Sequence, residues 1–179
     1  EAYECFGLLD TKSIMAHCVW ITEEEMDILQ SHGSYIAHSP SSNMNLSSGI
    51  APVRRFLERG MNIGLATDTA GGSSLSMFRM ITDAIASSKL RWRLVDDSLA
   101  PLRFSEAFYL ASKGGGSFFG NAGSFEEGYA ADILVLDDAS SKMTVLSPEL
   151  SLPEKLEFYA YRAPDRRPFA KYVAGKRIV

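Results

Sequence analysis

Through the first half of the chain, short apolar runs alternate with segments whose apolar residues recur at helical spacing. Ser13-Ile14-Met15-Ala16-His17-Cys18-Val19 is nearly continuous and reads as a strand buried on both faces. Thr22 follows, with Glu25 three positions on. This capping-box spacing predicts a helix that runs to Gly33 on a face of Met26, Ile28 and Leu29. Tyr35-Ile36-Ala37-His38 predicts a second strand, followed by a polar loop, Ser39-Pro40-Ser41-Ser42-Asn43. Ile50, Val53, Phe56 and Leu57 mark a helix that Gly60 ends, and residues 62–68 read as a third strand closing on an acid, Asp68. Beyond the Gly71-Gly72 break, Met77, Met80, Ile81, Ala84 and Ile85 mark a longer helix to about Leu90. Another opens at Ser105-Glu106 and leads into Gly114-Gly115-Gly116.

Strand–helix alternation with short connections implies parallel strands joined by right-handed crossovers, in a doubly wound sheet or a β/α barrel. From Gly123 the texture changes: residues 131–137 read as a strand and 171–179 as a hairpin turning at Ala174-Gly175. The pattern divides the chain into an α/β part, 1–122, and a small β layer, 123–179.

Composition narrows the classes. The 179 residues are 46% hydrophobic and 22% charged, globular proportions that exclude a disordered or collagen-like chain. Eighteen Lys and Arg against 22 Asp and Glu give a net charge of −4, which argues against a nucleic-acid or anionic-membrane surface. Two cysteines, Cys5 and Cys18, outside any C-x-x-C pair, suit reduced thiols in a cytoplasmic protein. No apolar run approaches the ~20 residues a membrane helix needs, and no signal-peptide pattern opens the chain. The chain starts without Met, as a piece of a longer protein would. Trp20, Trp92, Phe118 and Phe119 are expected in the core.

Three side chains carry candidate chemistry: His17, His38 and Asp68, each at or just past a strand end, where β/α folds gather their sites. A histidine beside an apolar strand is often structural, and an aspartate after a strand often caps the next helix. Asp68 is poorly placed for capping, because the next helix starts beyond Gly71-Gly72-Ser73-Ser74; a metal ligand or general base explains it better. His32, at a helix C-terminus, is assigned to structure. Catalytic zinc takes three protein ligands plus water. The chain has no H-x-H, no H-E-x-x-H and no H-x-E with P-C-x-x-C, so a cytidine-deaminase type of zinc site is excluded on this chain. The residues alone lead to the C-terminal part of an α/β metal-dependent hydrolase.

Met15-Ala16-His17-Cys18, then Ile36-Ala37-His38-Ser39-Pro40-Ser41-Ser42-Asn43-Met44-Asn45-Leu46, then Gly64-Leu65-Ala66-Thr67-Asp68-Thr69-Ala70-Gly71-Gly72 together resemble the amidohydrolase superfamily, in its guanine deaminase branch. The tail from Gly123 to Leu136 and the closing Tyr172-Val173-Ala174-Gly175-Lys176 agree, so the resemblance spans nearly the whole chain. It implies a distorted TIM barrel whose last strands lie in 1–122, and a β-sandwich domain to which 123–179 contributes. It also implies Zn(2+), held in part by Asp68, which takes a proton from the attacking water. His17 would face that water and the leaving amine and stabilise the tetrahedral intermediate, so that His17 and Asp68 both meet substrate. His38 would support the loop, and Ser42 and Asn43 would shape the mouth or bond within the loop. The implied reaction is guanine to xanthine with release of ammonia.

The H-x-H pair, the further metal histidine, the acid/base glutamate and the purine-reading residues of the pattern would lie before Glu1. The implied partners are therefore a purine base, the N-terminal half of the same enzyme and a second copy in a homodimer, with no nucleic acid and no membrane. Alone, the chain is expected to be inactive. Two other readings stand beside this one: an aminohydrolase acting on an s-triazine, a pyrimidine or an adenosine-type base, and a non-catalytic interaction module.

Overall fold

Local signals set the elements of the computed structural model, which describes residues 2–137, 149–162, 165 and 167–179. A short helix, α1 (Ala2–Cys5), precedes β1 (Ile14–Ala16). In α2 (Glu23–Ser31) the capping box forms as the spacing predicts: the Glu25 amide donates to Thr22 Oγ1 at 3.2 Å, and the Thr22 amide donates to Glu25 Oε2 at 2.9 Å. There follow β2 (Tyr35–His38), α3 (Pro40–Asn45), α4 (Val53–Glu58), β3 (Asn62–Leu65), α5 (Met77–Leu94) and α6 (Phe104–Tyr109). The last of these runs on into a π-helical turn, Leu110–Gly114, and a 3₁₀ turn, Ser117–Phe119. Next come β4 (Ile133–Val135), α7 (Leu152–Arg162), β5 (Ala170–Val173) and β6 (Lys176–Arg177).

β1, β2 and β3 form a parallel sheet in that order, with Ile36 of β2 opposite Met15 and Ile63. Helices cover it, and the core gathers Ile36, Ile63, Phe56, Ile81, Ala84, Leu110 and Met26. Backbone meets backbone at one point: a Cβ on Gly64 would sit 2.6 Å from Gly115 Cα, so the glycine-rich segment packs directly on β3. The second sheet is antiparallel, β4-β5-β6, and its hairpin turns at Ala174-Gly175 with both φ positive, +48° and +76°. Helix α7 lies against α5 with Tyr159 and Ala160 buried. No helix among the described residues is long and apolar enough to cross a membrane.

The α/β reading holds, and four sequence expectations need correction. β1 is not buried on both faces: it is a sheet edge, and Ile14 is 51% exposed because nothing among the described residues pairs with its outer side. The segment taken for a polar loop is the helix α3, with Pro40 at its first turn, where a missing amide hydrogen costs nothing. Residues beyond 123 hold an eleven-residue helix, α7, as well as strands. The aromatic expectation fails for three of its four residues: Trp20 and Phe119 are 84% and 76% exposed and Trp92 is 40% exposed, whereas Phe118 is half-buried against the Tyr35 ring.

Candidate active site

The three parallel strands end level with one another. The His17 amide donates to Ala37 O at 3.0 Å and the Ala66 amide to His38 O at 2.8 Å, so the ladder continues just past β1 and β3 and sets His17, His38 and the Asp68 segment side by side. At that edge the backbone is strained. His17, Cys18, Asp68 and Ala70 take φ of +67°, +46°, +47° and +88°, the left-handed region that side chains with a Cβ rarely enter. Such conformations persist only where surrounding structure imposes them, and they cluster at functional sites.

Two side chains face each other at this edge. His17 Nε2 lies 3.7 Å from Asp68 Oδ2, and each side chain is a little over one-third exposed, open to a ligand from solvent. On the ring's other side, His17 Nδ1 is 2.8 Å from Asn43 Oδ1. Helix α3 holds the Asp68 loop as well: Asn45 Nδ2 donates to Gly71 O at 2.8 Å, and the Ser73 amide donates to Ser41 Oγ at 3.1 Å. Six residues of helix therefore clamp both halves of the pair. Gly71 completes the clamp by what it lacks. A Cβ there would stand 2.5 Å from Ser42 Oγ and 2.7 Å from Asp68 Oδ2.

His38 behaves differently from His17. It is 1% exposed, neither ring nitrogen finds a partner among the described residues, and its pKa is pushed down to about 4, first by burial and then by His17. Burial keeps this imidazole neutral at neutral pH and closes it off from solvent. Cys18, next to His17, has its thiol pushed up to about 11 by burial and by Glu25, which leaves it protonated and unreactive at neutral pH.

The structure thus brings His17 and Asp68 together, sets His38 behind them and places Ser42 and Asn43 in the buried helix wall. His32 caps α2 beside Glu4 and Asp10, away from the pair, in keeping with a structural role. Sequence reading missed the bond between Asn43 and His17 and the exclusion of a side chain at Gly71. The signal within reach was Ser39-Pro40, a helix start that makes Asn43 a fixed helical residue and not a loop residue.

As a cation site, this constellation is a share of one. Among the described residues no three His, Cys, Asp or Glu side chains converge as a metal cluster needs. Asp68 fits a divalent cation as a single carboxylate ligand, because its side chain is more than one-third exposed, and a Cβ at position 71 would crowd its Oδ2.

The imidazole–carboxylate pair lies at the C-terminal edge of a parallel sheet, the end where β/α enzymes gather their site residues. The amidohydrolase family model matches residues 1–178, and the chain belongs to that family, whose members are typically metalloenzymes. Guanine deaminase from Dictyostelium discoideum is 33% identical over 183 residues, covering 99% of this chain and 40% of that protein. The 5-methylthioadenosine/S-adenosylhomocysteine deaminase 2 from Archaeoglobus fulgidus is 37% identical over 153 residues, covering 85% of this chain and 35% of that protein. The guanine deaminase from C. acetobutylicum, solved with guanine bound in its active site, superposes with a TM-score of 0.90 at 42% identity, over 99% of this chain and 42% of that one. An adenosine deaminase from Xanthomonas campestris with bound zinc shares the fold, with a TM-score of 0.80 at 24% identity, over 98% of this chain and 39% of that one. The chain spans about 40% of the length of the curated guanine deaminases it matches.

Proposed function

We propose that this chain is the C-terminal part of a zinc-dependent guanine deaminase, which hydrolyses guanine to xanthine and ammonia. Residues 1–122 are then the last portion of a distorted TIM barrel, and residues 123–179 contribute strands to a β-sandwich. The open edge of β1, flanked by an apolar groove that Leu8, Ile14, Met15, Trp20 and Ile28 line, is where the preceding barrel strand pairs. The N-terminal half of the same protein supplies that strand and the remaining metal ligands. A homodimer of the whole enzyme completes the assembly.

The observation that carries the reading is the strained pair His17 and Asp68, 3.7 Å apart at the C-terminal edge of the parallel sheet. Asp68 holds one position of the cation. Zinc, when bound, supplies the acidification of the attacking water, from a pKa near ~15.7 towards ~7. Asp68 takes a proton as the water oxygen adds to the ring carbon bearing the exocyclic amine, and the proton then passes to the departing nitrogen. The carbon–nitrogen bond breaks and ammonia leaves. His17, beside Asp68, is placed to hydrogen-bond at the reacting centre. Helix α3 keeps both groups in register while their side chains stay open to the substrate.

A second reading has its own support in the 37% identity to the 5-methylthioadenosine/S-adenosylhomocysteine deaminase: the same chemistry on an adenosine-type base. The full-length protein, loaded with zinc, is tested with guanine, 5′-deoxyadenosine and S-adenosylhomocysteine under an ammonia-release assay. Turnover of guanine with formation of xanthine is expected. Turnover of only the adenosine-type substrates transfers the proposal to the second reading, and no ammonia from any of them removes both.

A further inference from the structure

Building on the proposed hydrolysis, we propose that Asn43 is a positioning residue that fixes the tautomer of His17. It keeps the proton on Nδ1 and turns the unprotonated Nε2, with its lone pair, towards Asp68 and the reacting centre.

The argument starts from the two oxygens that flank the imidazole. Asn43 Oδ1 stands 2.8 Å from Nδ1 and Asp68 Oδ2 stands 3.7 Å from Nε2. A neutral ring has one N–H to give, and only the first distance is that of a hydrogen bond. In the neutral ring the proton therefore belongs on Nδ1. The lone pair on Nε2 is left facing the gap beside the carboxylate.

Asn43 is built to hold that proton in place. Its side chain is 2% exposed and short, so it has little freedom to follow a moving ring. Its main chain is pinned at both ends, the amide donating to Ser39 O at 3.0 Å and the carbonyl accepting from the Ser48 amide at 2.8 Å. His17 is equally constrained, held at φ +67° with its amide on Ala37 O. Ring orientation and tautomer are thus set before any ligand arrives, as outer partners of site histidines commonly set them.

The consequence concerns mechanism. An imidazole with a bare Nε2 accepts a hydrogen bond and cannot donate one from that atom. His17 then works beside Asp68 as an acceptor for the hydrogen of the attacking water or of the departing amine. The resemblance implies that His17 stabilises the tetrahedral intermediate, and a bare Nε2 gives that role the form of a hydrogen-bond acceptor.

The test labels the histidines of the full-length protein with nitrogen-15 and reads the His17 ring nitrogens by NMR, with zinc bound and with zinc stripped. The His17 signal is identified by its loss in His17→Gln. The expected spectrum has a protonated Nδ1 and an unprotonated Nε2 in the parent protein, and Nδ1 stays protonated in Asn43→Asp, which keeps an oxygen in place. In Asn43→Leu the proton moves to Nε2 or exchanges between the two nitrogens, and kcat falls by about 10- to 100-fold with a smaller change in KM. A proton on Nε2 in the parent protein overturns the proposal, and so does an unmoved proton in folded Asn43→Leu. Should Asn43→Leu fail to fold, the parent and Asn43→Asp spectra decide. The tautomer is read without turnover: an inactive protein with a protonated Nδ1 removes the deaminase reading alone, and a deaminase with a protonated Nε2 removes this proposal alone.

Discussion

The two sheets of this molecule are built on opposite terms. In the parallel sheet, Ile36 and Ile63 are 1% and 3% exposed, and polar side chains (His38, Ser42, Asn43) are buried immediately past its strand ends. In the antiparallel sheet, Leu134 and Val173 are about half exposed, and β6 is exposed throughout. Positive φ occurs in both regions with different meanings. At Ala174 it belongs to a hairpin turn between two strands, whereas at His17 it belongs to a three-residue turn, with the Cys18 amide donating to Ala16 O at 2.8 Å, and at Asp68 to a loop turn, with the Gly72 amide donating to Asp68 O at 2.6 Å. Burial of polar groups beside an open imidazole–carboxylate pair separates a region organised for chemistry from one organised for assembly.

The sharpest attack on that contrast is Asp68→Asn. It is isosteric and removes the charge, so kcat is expected to fall about 10³-fold with the circular dichroism spectrum unchanged. Full activity in that variant would place the chemistry elsewhere. His38 provides an effect of about 3 kcal/mol on stability. The unfolded ring takes a proton near ~6.5 and the folded ring only near about 4, so between those values the unfolded state binds more protons. Stability from this site is fully present above pH ~6.5 and is lost as pH falls towards 4. Urea unfolding of the parent and of His38→Gln at pH 7.5 and 4.5 measures it, and the parent should show the steeper decline. An equal decline in both proteins would show that burial does not hold His38 neutral.

Gly71→Ala comes next. Its Cβ would press on Asp68 Oδ2 and Ser42 Oγ, and a displacement of about 1 Å at a reacting group costs about 10²-fold in kcat. The melting temperature should change little, which is the mark of a site defect. Smallest is Leu134→Ala in the antiparallel sheet of the full-length protein. If a sandwich partner covers this face, as proposed, the loss is about 2 kcal/mol. A loss within about 0.5 kcal/mol would leave the sheet a bare surface.

Much of this was legible in the sequence because its determinants are local. The capping box at Thr22 needs residues three apart, and the Ala174-Gly175 turn needs two neighbours. The three parallel strands follow from apolar runs, although β1 stops at Ala16 and β3 at Leu65, short of the ends those runs predict. Other features could not be read from local pattern. The exposure of Trp20 depends on an open sheet edge, which the Trp side chain does not reveal, and α7 packs on α5 from far along the chain.

The chain's own order of residues determined the α/β alternation, the hairpin and which side chains carry the chemistry, because periodicity and turn preference act over a few residues. Tertiary structure alone decided that Asn43 meets His17 across 26 positions, that one short helix clamps both the imidazole and the Asp68 loop, and that Gly71 must stay bare. Those contacts exist only once crossover packing sets the strand ends level, since their distances are fixed by the sheet and not by separation along the chain.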